Sequence, residues 1–220
     1  RANSGSGGVP TRRDHGAGGG GATGDATKYE GGKGVKVDIT GLLTGYGGGG
    51  VGAEVYTTPS IDGGGCYFLK GINGRGGGAG AMTTASFVKN YGIPGGSGTV
   101  IIRLNKNIKN YEFKPIKNIN NINKTEYSKV DNIYETLIFK NNNDDVDIEQ
   151  YVYNIDIIEE KECDILIIGG GGAGGSDNGG GGGSGGLVFL ENIVLKGKYL
   201  IKVGNGGKTN GRNEKGLNGY

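Results

Sequence analysis

Residues 164–175 read DILIIGGGGAGG, an apolar run that passes directly into glycine. The glycine-rich sequence then continues to residue 186 with few interruptions. Glycine costs about 1 kcal/mol per residue in a helix relative to alanine, so this continuation cannot be helical. The apolar run before it has the length and β-branched content of a strand buried on both faces. That predicted strand comprises Asp164, Ile165, Leu166, Ile167 and Ile168.

Composition sets this chain apart, because 52 of its 220 residues are glycine where average usage is roughly 7%. Hydrophobic residues make up 34% and Trp is absent, which leaves a small apolar core for this length. Only four prolines are present and no Gly-X-Y period exists, so the chain is not collagen. A flexible low-complexity chain is the alternative to an ordered fold.

Glycine is confined to two blocks, since residues 99–168 contain none. The first block has polyglycine runs separated by β-prone pieces, of which 35–40 alternates like a strand and 66–69 is an apolar island. It closes on a predicted strand at 98–104 whose centre is Val100, Ile101 and Ile102. The regular return of apolar pieces favours ordered tracts over loops.

The middle block begins with an Asn/Lys/Ile-rich stretch, 105–129, which is typical of a solvated linker. Two strands follow at 133–140 and 148–157, and the Asn/Asp-rich connector between them predicts an antiparallel pair. In the last block, 187–190 and 199–203 are predicted strands with a hairpin around Lys196-Gly197. No segment shows a capped helical period.

Polyproline-II geometry explains how glycine tracts become ordered. This helix has three residues per turn and makes no internal hydrogen bonds, so its N–H and C=O groups point outward. Glycine helices packed side by side satisfy these groups on one another, as burial requires. We therefore predict an all-β fold in which short antiparallel strands combine with packed polyglycine-II-like tracts, with no significant helix.

A dinucleotide-binding fingerprint is mimicked by Gly170, Gly172 and Gly175, which follow a buried strand with G-x-G-x-x-G spacing. Glu191 lies at a plausible distance for a ribose-binding acid. The fingerprint needs a helix N-terminus to hold the pyrophosphate, and the glycine-rich continuation cannot supply one. A dinucleotide-binding protein is therefore the most distant of the functional alternatives, and we predict no cofactor.

Other candidate sites are weak. His15 is the only histidine, and with Cys66 and Cys163 it makes too few ligands for zinc. The acidic run 143–149 lacks the glycine and spacing of a calcium loop, which favours a solvated turn. The two cysteines either form one disulfide or remain separate buried thiols, and we expect the thiols. Asn123 heads the only N-glycosylation sequon. We predict no catalytic residue and no metal site.

Residues 162–175, together with 198–207, resemble the opening half of a glycine-rich domain family found in proteins of giant viruses of protists and algae and in phage tail and fibre proteins. Residues 37–41 with 46–50, and residues 95–104, resemble its closing half. The resemblance implies a structural or receptor-binding role with no catalytic residue. The similar phage tail adhesins have glycine-rich cores, so the resemblance also implies a sandwich of packed polyglycine helices whose loops bind the receptor.

The order of the halves is reversed relative to the family. We therefore divide the chain into 1–104, the closing half of a glycine-rich domain; 105–129, a linker; 130–162, a strand pair leading into the next domain; and 163–220, an opening half. Neither half should be stable alone, since its edge strands would lack partners. The hypothesis is head-to-tail complementation between neighbouring subunits, giving a filament. A window cut from a longer tandem-repeat protein is the alternative.

These inferences predict a non-enzymatic structural subunit of an extracellular or virion-surface filament or fibre, whose partners are copies of itself. The predicted assembly strands are those of 100–102 and 164–168. The alternative function is an adhesin for a cell-surface glycan or receptor. Its candidate sugar contacts are aromatic loop residues that could equally cover the glycine core: Tyr29, Tyr46, Tyr56, Tyr67 and Tyr91. A formal charge of +2 and the absence of a long apolar run predict no nucleic-acid binding and no membrane insertion.

Overall fold

The computed structural model describes residues 16–53, 62–82, 93–105, 126–128, 134–141, 150–176, 178–208 and 219. No helix occurs in these ranges, which confirms the all-β fold class. The strands are β1 (Val35–Val37), β2 (Thr44–Tyr46), β3 (Thr99–Asn105), β4 (Glu126–Ser128), β5 (Tyr134–Lys140), β6 (Gln150–Ile168) and β7 (Leu187–Gly204). The prediction that strands are short is wrong for β6 and β7, which have 19 and 18 residues.

Strands β4, β5, β3, β6 and β7 form one antiparallel sheet in that order, and β1 pairs with β2 separately. Strand β3 therefore lies between β5 and β6. This corrects the predicted pairing of 133–140 with 148–157: both strands exist, but β5 pairs with β3 and β6 pairs with β3 and β7. The Asn/Asp-rich connector between β5 and β6 is compatible with a hairpin. It does not prevent β3 from pairing with both strands and lying between them.

Strands β6 and β7 form a long ribbon that folds back on the sheet. Phe139 is in register with Val100, which pairs with Ile167 near the end of β6. Tyr153 precedes Ile167 by 14 residues, about 46 Å along a straight strand. The Tyr153 ring nevertheless lies 5.2 Å from the Phe139 ring. Strand pairing is interrupted between Ile157 and Lys161, which places the bend there. Gly197 pairs with Ile157 inside this ribbon, so the predicted hairpin at Lys196-Gly197 is wrong. Its φ of +94° marks an irregular point of one continuous strand.

The sheet buries both faces. One face packs under the folded ribbon, in a cluster that includes Val100, Ile102, Phe139, Tyr153 and Ile165. The opposite face packs on the β1–β2 hairpin, in a cluster that includes Val37, Ile39, Ile101, Leu166 and Ile168. Alternate residues of β3 thus point to different cores, as the two-residue period of a strand requires. The strand predicted from residues 35–40 is shorter, because a turn begins after Val37.

Candidate functional site: a lattice of glycine tracts

Glycine-rich tracts from both ends of the sequence pack side by side at one end of the sheet. Strand β3 begins after Gly98, β6 ends before Gly169, and β7 begins after Gly186. The tracts are joined by backbone hydrogen bonds from one tract to another. They comprise residues 16–22, 28–34, 47–53, 62–65, 76–82, 93–98, 169–175, 179–186 and 204–207.

Tract 47–53 shows the bonding pattern most clearly. From Gly48 onward its successive N–H groups donate to three different neighbours in turn, at N···O distances of 2.7–3.4 Å, whereas Gly47 donates to Arg75. The pattern then repeats at the fourth residue. Gly48 and Val51 donate to Asp62 and Gly65 of tract 62–65. Gly49 and Gly52 donate to Gly32 and Tyr29 of tract 28–34. Gly50 and Ala53 donate to Gly182 and Gly179 of tract 179–186.

The C-terminal tracts follow the same rule. Tract 169–175 runs antiparallel to tract 179–186 and donates to it from every third residue at 2.7–2.9 Å: Gly169 to Gly186, Gly172 to Gly183, Gly175 to Gly180. Tract 179–186 donates in turn to the N-terminal block, through Gly181 to Ala17, Ser184 to Gly20, Gly182 to Ala79 and Gly185 to Gly76.

A repeat of three distinguishes these tracts from other backbone structures. A strand alternates with period two and an α-helix with 3.6, whereas the polyproline-II helix has three residues per turn and points its polar groups outward. The hydrogen bonds of the tracts therefore have the repeat of laterally packed threefold helices.

At many of its inner positions the lattice has no room for a side chain, although Val51 and Ala79 are buried in the same tracts. A Cβ added at Gly50 would lie on the carbonyl of Ala79, and one at Gly182 on the carbonyl of Gly172. A Cβ at Gly78 would likewise meet the carbonyl of Gly182. Glycine is thus required here by the close approach of neighbouring backbones.

A buried polar network ties the lattice to the sheet. The Ser97 hydroxyl donates to the Asn141 carbonyl after β5 and accepts from the Gly74 N–H, both at 3.0 Å. The Asn141 amide donates to the Asn205 side chain after β7, and the Asn73 side chain accepts from the Ser97 N–H at 3.1 Å. These partners satisfy polar groups that would be costly to bury alone.

The predicted assembly strands meet each other in the sheet. Residues 99–104 of β3 pair in antiparallel register with 163–168 of β6, including Val100 with Ile167, Ile101 with Leu166 and Ile102 with Ile165. Ile165, Leu166 and Ile168 are buried as predicted, but Ile167 is 42% exposed. The prediction that this strand is buried on both faces therefore fails at Ile167.

Asp164 holds three strands together. One carboxylate oxygen accepts from Arg103 of β3 at 2.6 and 3.0 Å, and the other accepts from the Asn192 N–H of β7 at 3.0 Å. Asn192 has a φ of 54° at an irregular point of the β6–β7 register. The Arg103 guanidinium also lies 5.1 Å from the centre of the Tyr134 ring. The sequence did not indicate this ion pair, because its partners are 61 residues apart.

The cysteines have different surroundings. Both thiols are free, as expected. Cys163 is buried as predicted, but Cys66 is partly exposed, so the prediction of two buried thiols fails there. Burial, with the negative charges of Asp164 and Glu162, raises the pKa of Cys163 to about 11. The described residues contain no group of three His, Cys, Asp or Glu side chains placed to hold a metal ion. His15, Asn123 and the acidic run 143–149 lie outside the described residues.

The glycines of the nucleotide-like fingerprint serve the lattice. The N–H groups of Gly172 and Gly175 donate to Gly183 and Gly180, and a Cβ at Gly170 would meet the carbonyl of Asn205. An extended tract follows them where a dinucleotide site needs a helix. Glu191 lies exposed on β7.

The candidate aromatic contacts are dispersed. Tyr46 lies in β2 and is buried in the core beneath the β1–β2 hairpin, so of its two predicted roles the sugar contact is wrong. Tyr29 and Tyr67 are half-buried, and Tyr56 and Tyr91 lie outside the described residues. Exposed large apolar side chains occur in two loops, at Leu42 and Leu43 and at Phe68, Leu69 and Ile72, as well as on β6 and β7. Residues 66–69, which were expected to be a β-prone apolar piece, form a turn and not a strand.

Among the described residues, the structure contains no helix long and apolar enough to cross a membrane. A family model described as a glycine-rich domain matches residues 149–220, which include β6, β7 and the tracts between and after them. No curated protein and no solved structure matches the chain. The C-terminal resemblance to a glycine-rich domain is thus confirmed, and its giant-virus and phage setting stays a prediction.

Proposed function

We propose that this protein is a non-enzymatic structural subunit of an extracellular or virion-surface filament or fibre, assembled head to tail by exchange of complementary halves. One observation carries the proposal. Residues from both ends of the sequence build a single lattice, in which tract 179–186 lies among tracts 16–22, 47–53 and 76–82. Each block supplies what the other needs to satisfy its backbone.

Exchange uses contacts that the fold already contains. Strand β6 pairs with β3, and the tracts beyond β6 bond to the N-terminal block, all within one chain. Identical contacts form between copies when the same element is exchanged, and contacts that do not close into a ring give open filaments. The exchanging unit would begin near Gln150, where β6 starts. The polyglycine-II form of the tracts is part of this proposal, supported by their threefold hydrogen-bond repeat.

The side chains best suited to chemistry near this seam are committed to structure, which supports a non-enzymatic role. Cys163 is buried with a raised pKa, which disfavours the nucleophilic thiolate. Asp164 is bound to Arg103 and to a backbone N–H of β7. The resemblance to fibre and virion proteins supports the extracellular or virion-surface setting.

A disulfide between β3 and β6 tests the exchange. Leu104 is the register partner of Cys163, and directly opposed Cβ atoms in antiparallel strands lie about 4.5–5.5 Å apart, within adjustment of a disulfide. The variant Cys66→Ala/Leu104→Cys is oxidised in the native state and run on a non-reducing denaturing gel. Exchange predicts a ladder of linked chains. Linkage confined to single chains would contradict it.

The control is Cys66→Ala alone, which keeps Cys163 without a partner and should give a single band near 22.6 kDa under the same oxidation. Thiols that remain free in the double variant would contradict the pairing of β3 with β6 itself. Electron micrographs of the native protein provide the second readout, since the proposal expects filaments rather than discrete particles.

A receptor- or glycan-binding adhesin is the second candidate function. It is supported by the apolar loops, where Leu42 and Leu43 are 74% and 71% exposed and Phe68 adopts a φ of +58°. Exposed apolar side chains grouped together are typical of interaction sites, and a bulky residue at positive φ is held there by its surroundings. A glycan array with the native protein, and with Leu42→Ser/Leu43→Ser as control, tests this function. Absence of binding would remove it.

A further inference from the structure

One tract of the lattice has an open side. In tract 179–186 the exposed positions are Gly180, Gly183 and Gly186, which recur every third residue and so share one face of a threefold helix. Their N–H groups have no acceptor among the described residues. The other two donor rows of this tract bond inward, to Ala17 and Gly20 and to Ala79 and Gly76.

The same tract also offers open acceptors. The carbonyls of Gly181 and Ser184, three residues apart, receive no hydrogen bond from any described residue, and neither does that of Gly185 on another side of the tract. The carbonyls of Gly180, Gly182, Gly183 and Gly186 each receive one. A row of donors and a row of acceptors therefore remain available on one tract. Consecutive donors along a threefold helix are about 9.3 Å apart, given a rise of about 3.1 Å per residue.

Steric demands of the fold account for glycine at Gly180, where a Cβ would lie 3.1 Å from the Ala17 carbonyl oxygen, but not at the other two positions of this face. A Cβ at Gly186 would have no atom within 4 Å, and one at Gly183 would have its nearest neighbour, the Gly20 carbonyl oxygen, at 3.8 Å. The adjacent Gly182 and Gly185 would instead meet carbonyls of tract 169–175. Glycine lowers stability relative to alanine wherever the fold does not require it, whereas an approaching backbone would require it here.

An apolar patch continues the open face onto the sheet. Ile167 and Val188 are register partners, and Leu190 lies two residues further along β7 and so points to the same side. Ile167 is 42% and Leu190 39% exposed, and Val188 is partly exposed. The hydrogen bond from Gly169 to Gly186 joins this patch to the end of the tract.

We propose that tract 179–186 and the patch formed by Ile167, Val188 and Leu190 are a docking surface for a second copy of this chain. The occupant must bring a backbone without side chains and with a three-residue repeat, because only such a partner approaches closely enough to bond the whole donor row. The same tract of a second copy has these properties and supplies the acceptor row. Antiparallel packing of two tracts already occurs between 169–175 and 179–186, so the contact extends an interface present in the lattice.

This contact goes beyond the proposed exchange of halves, because it joins folded units sideways and needs no exchange. In the antiparallel contact of 169–175 with 179–186 every hydrogen bond runs one way, from the N–H groups of the first tract to the carbonyls of the second. The donor row of one copy therefore bonds to the acceptor row of the next in a heterologous contact. The contact would thus join two filaments, or two monomers if exchange does not occur.

Sedimentation velocity over a concentration series tests the contact. Leu190→Lys and Gly183→Ala/Gly186→Ala should each weaken association by about tenfold or more, since the first places a charge in the patch and the second holds the two backbones apart. The matched control is Leu200→Lys, an apolar-to-charge change on the same strand at a side chain that is 58% exposed. It should associate like the native chain. Thermal unfolding of dilute protein verifies that each variant folds.

Amide hydrogen exchange supplies a second readout. The N–H protons of Gly182 and Gly185 should exchange slowly at every concentration, whereas those of Gly183 and Gly186 should slow only on association. A native chain that stays dissociated, or association that neither variant weakens, would overturn the inference. If Leu190→Lys is added to the Cys66→Ala/Leu104→Cys chain, an unchanged disulfide ladder with loss of the larger sedimenting species supports the contact. Association of the native chain without any ladder in the cysteine variant would contradict the exchange of halves but not this contact.

Discussion

The sheet and the glycine lattice are both buried, but opposite chemistry holds them. In the sheet, large side chains such as Phe139 and Leu166 are fully buried and fill the space between layers. In the lattice, Gly50 and Gly182 are buried by neighbouring backbones, and hydrogen bonds occupy the place of side-chain packing. The sheet is therefore sensitive to the removal of atoms, and the lattice to their addition.

Gly50→Ala should have the largest effect. Its Cβ would lie on the Ala79 carbonyl, so tracts 47–53 and 76–82 would have to separate and several backbone bonds would break. We expect a loss on the order of 4 kcal/mol or more, at the upper end for single substitutions. Urea unfolding at low protein concentration measures it. A loss under about 1 kcal/mol would contradict close packing of these tracts.

Leu166→Ala should rank second, because it removes atoms from the fully buried side of the sheet facing the β1–β2 hairpin. Leu-to-Ala changes in cores cost about 2–5 kcal/mol through lost burial and the remaining cavity. The same change at Leu200, which is 58% exposed, is the matched control and should stay within about 0.5 kcal/mol. Equal losses at the two positions would show that this face of the sheet is not a packed core.

Alkaline pH should destabilise the sheet through Cys163. Burial holds the pKa of the folded Cys163 thiol at about 11, whereas the ordinary pKa of a cysteine thiol is 9.0, so the unfolded thiol loses its proton earlier. Unfolding thus releases a proton between these values, so the free energy of unfolding falls as pH rises from 9 to 11. Cys163→Ala should show a shallower fall over that window. Iodoacetamide at pH 8 should label Cys66 well before Cys163, and equal labelling rates would contradict the burial of Cys163.

Arg103→Ala should have the smallest effect, about 1 kcal/mol, since the ion pair with Asp164 is partly screened at 18% and 14% side-chain exposure. Asp164 would keep its bond from the Asn192 N–H. The control is Lys196→Ala, whose pair with Glu160 at 3.6 Å is largely exposed and which should change stability by less than about 0.5 kcal/mol. Thermal melts at low and high salt compare the two, and the Arg103 effect should shrink with salt.

Local sequence was sufficient for the strands with strong apolar patterns. The strand at 98–104, observed at Thr99–Asn105, and the segment Asp164–Ile168 were predictable as extended, because β-branched runs next to glycine have few other stable conformations. The continuity of β6 was not predicted, since 148–157 and 164–168 were expected to be separate strands. The extended form of the tracts followed from the inability of polyglycine to form a helix. These features depend on residues close in sequence.

Features set by distant contacts were not predictable. The insertion of β3 between β5 and β6 depends on which strands fit together across the core. Gly197 looked like a turn, but β6 offers a pairing partner on both sides of it and carries the strand through. The pairing of Arg103 with Asp164 and the open face of tract 179–186 also emerge only when the tertiary neighbours are known.

The most direct measurement compares alanine at two adjacent glycines, Gly182 and Gly183, by urea unfolding of dilute protein. A Cβ at Gly182 would meet the Gly172 carbonyl, and one at Gly183 would have no neighbour closer than 3.8 Å. A backbone-packed threefold lattice predicts a loss of several kcal/mol for Gly182→Ala, on the order of the largest single-site effects. It predicts no loss, or a gain of about 0.4–1 kcal/mol, for Gly183→Ala. Equal effects at the two positions would contradict the lattice.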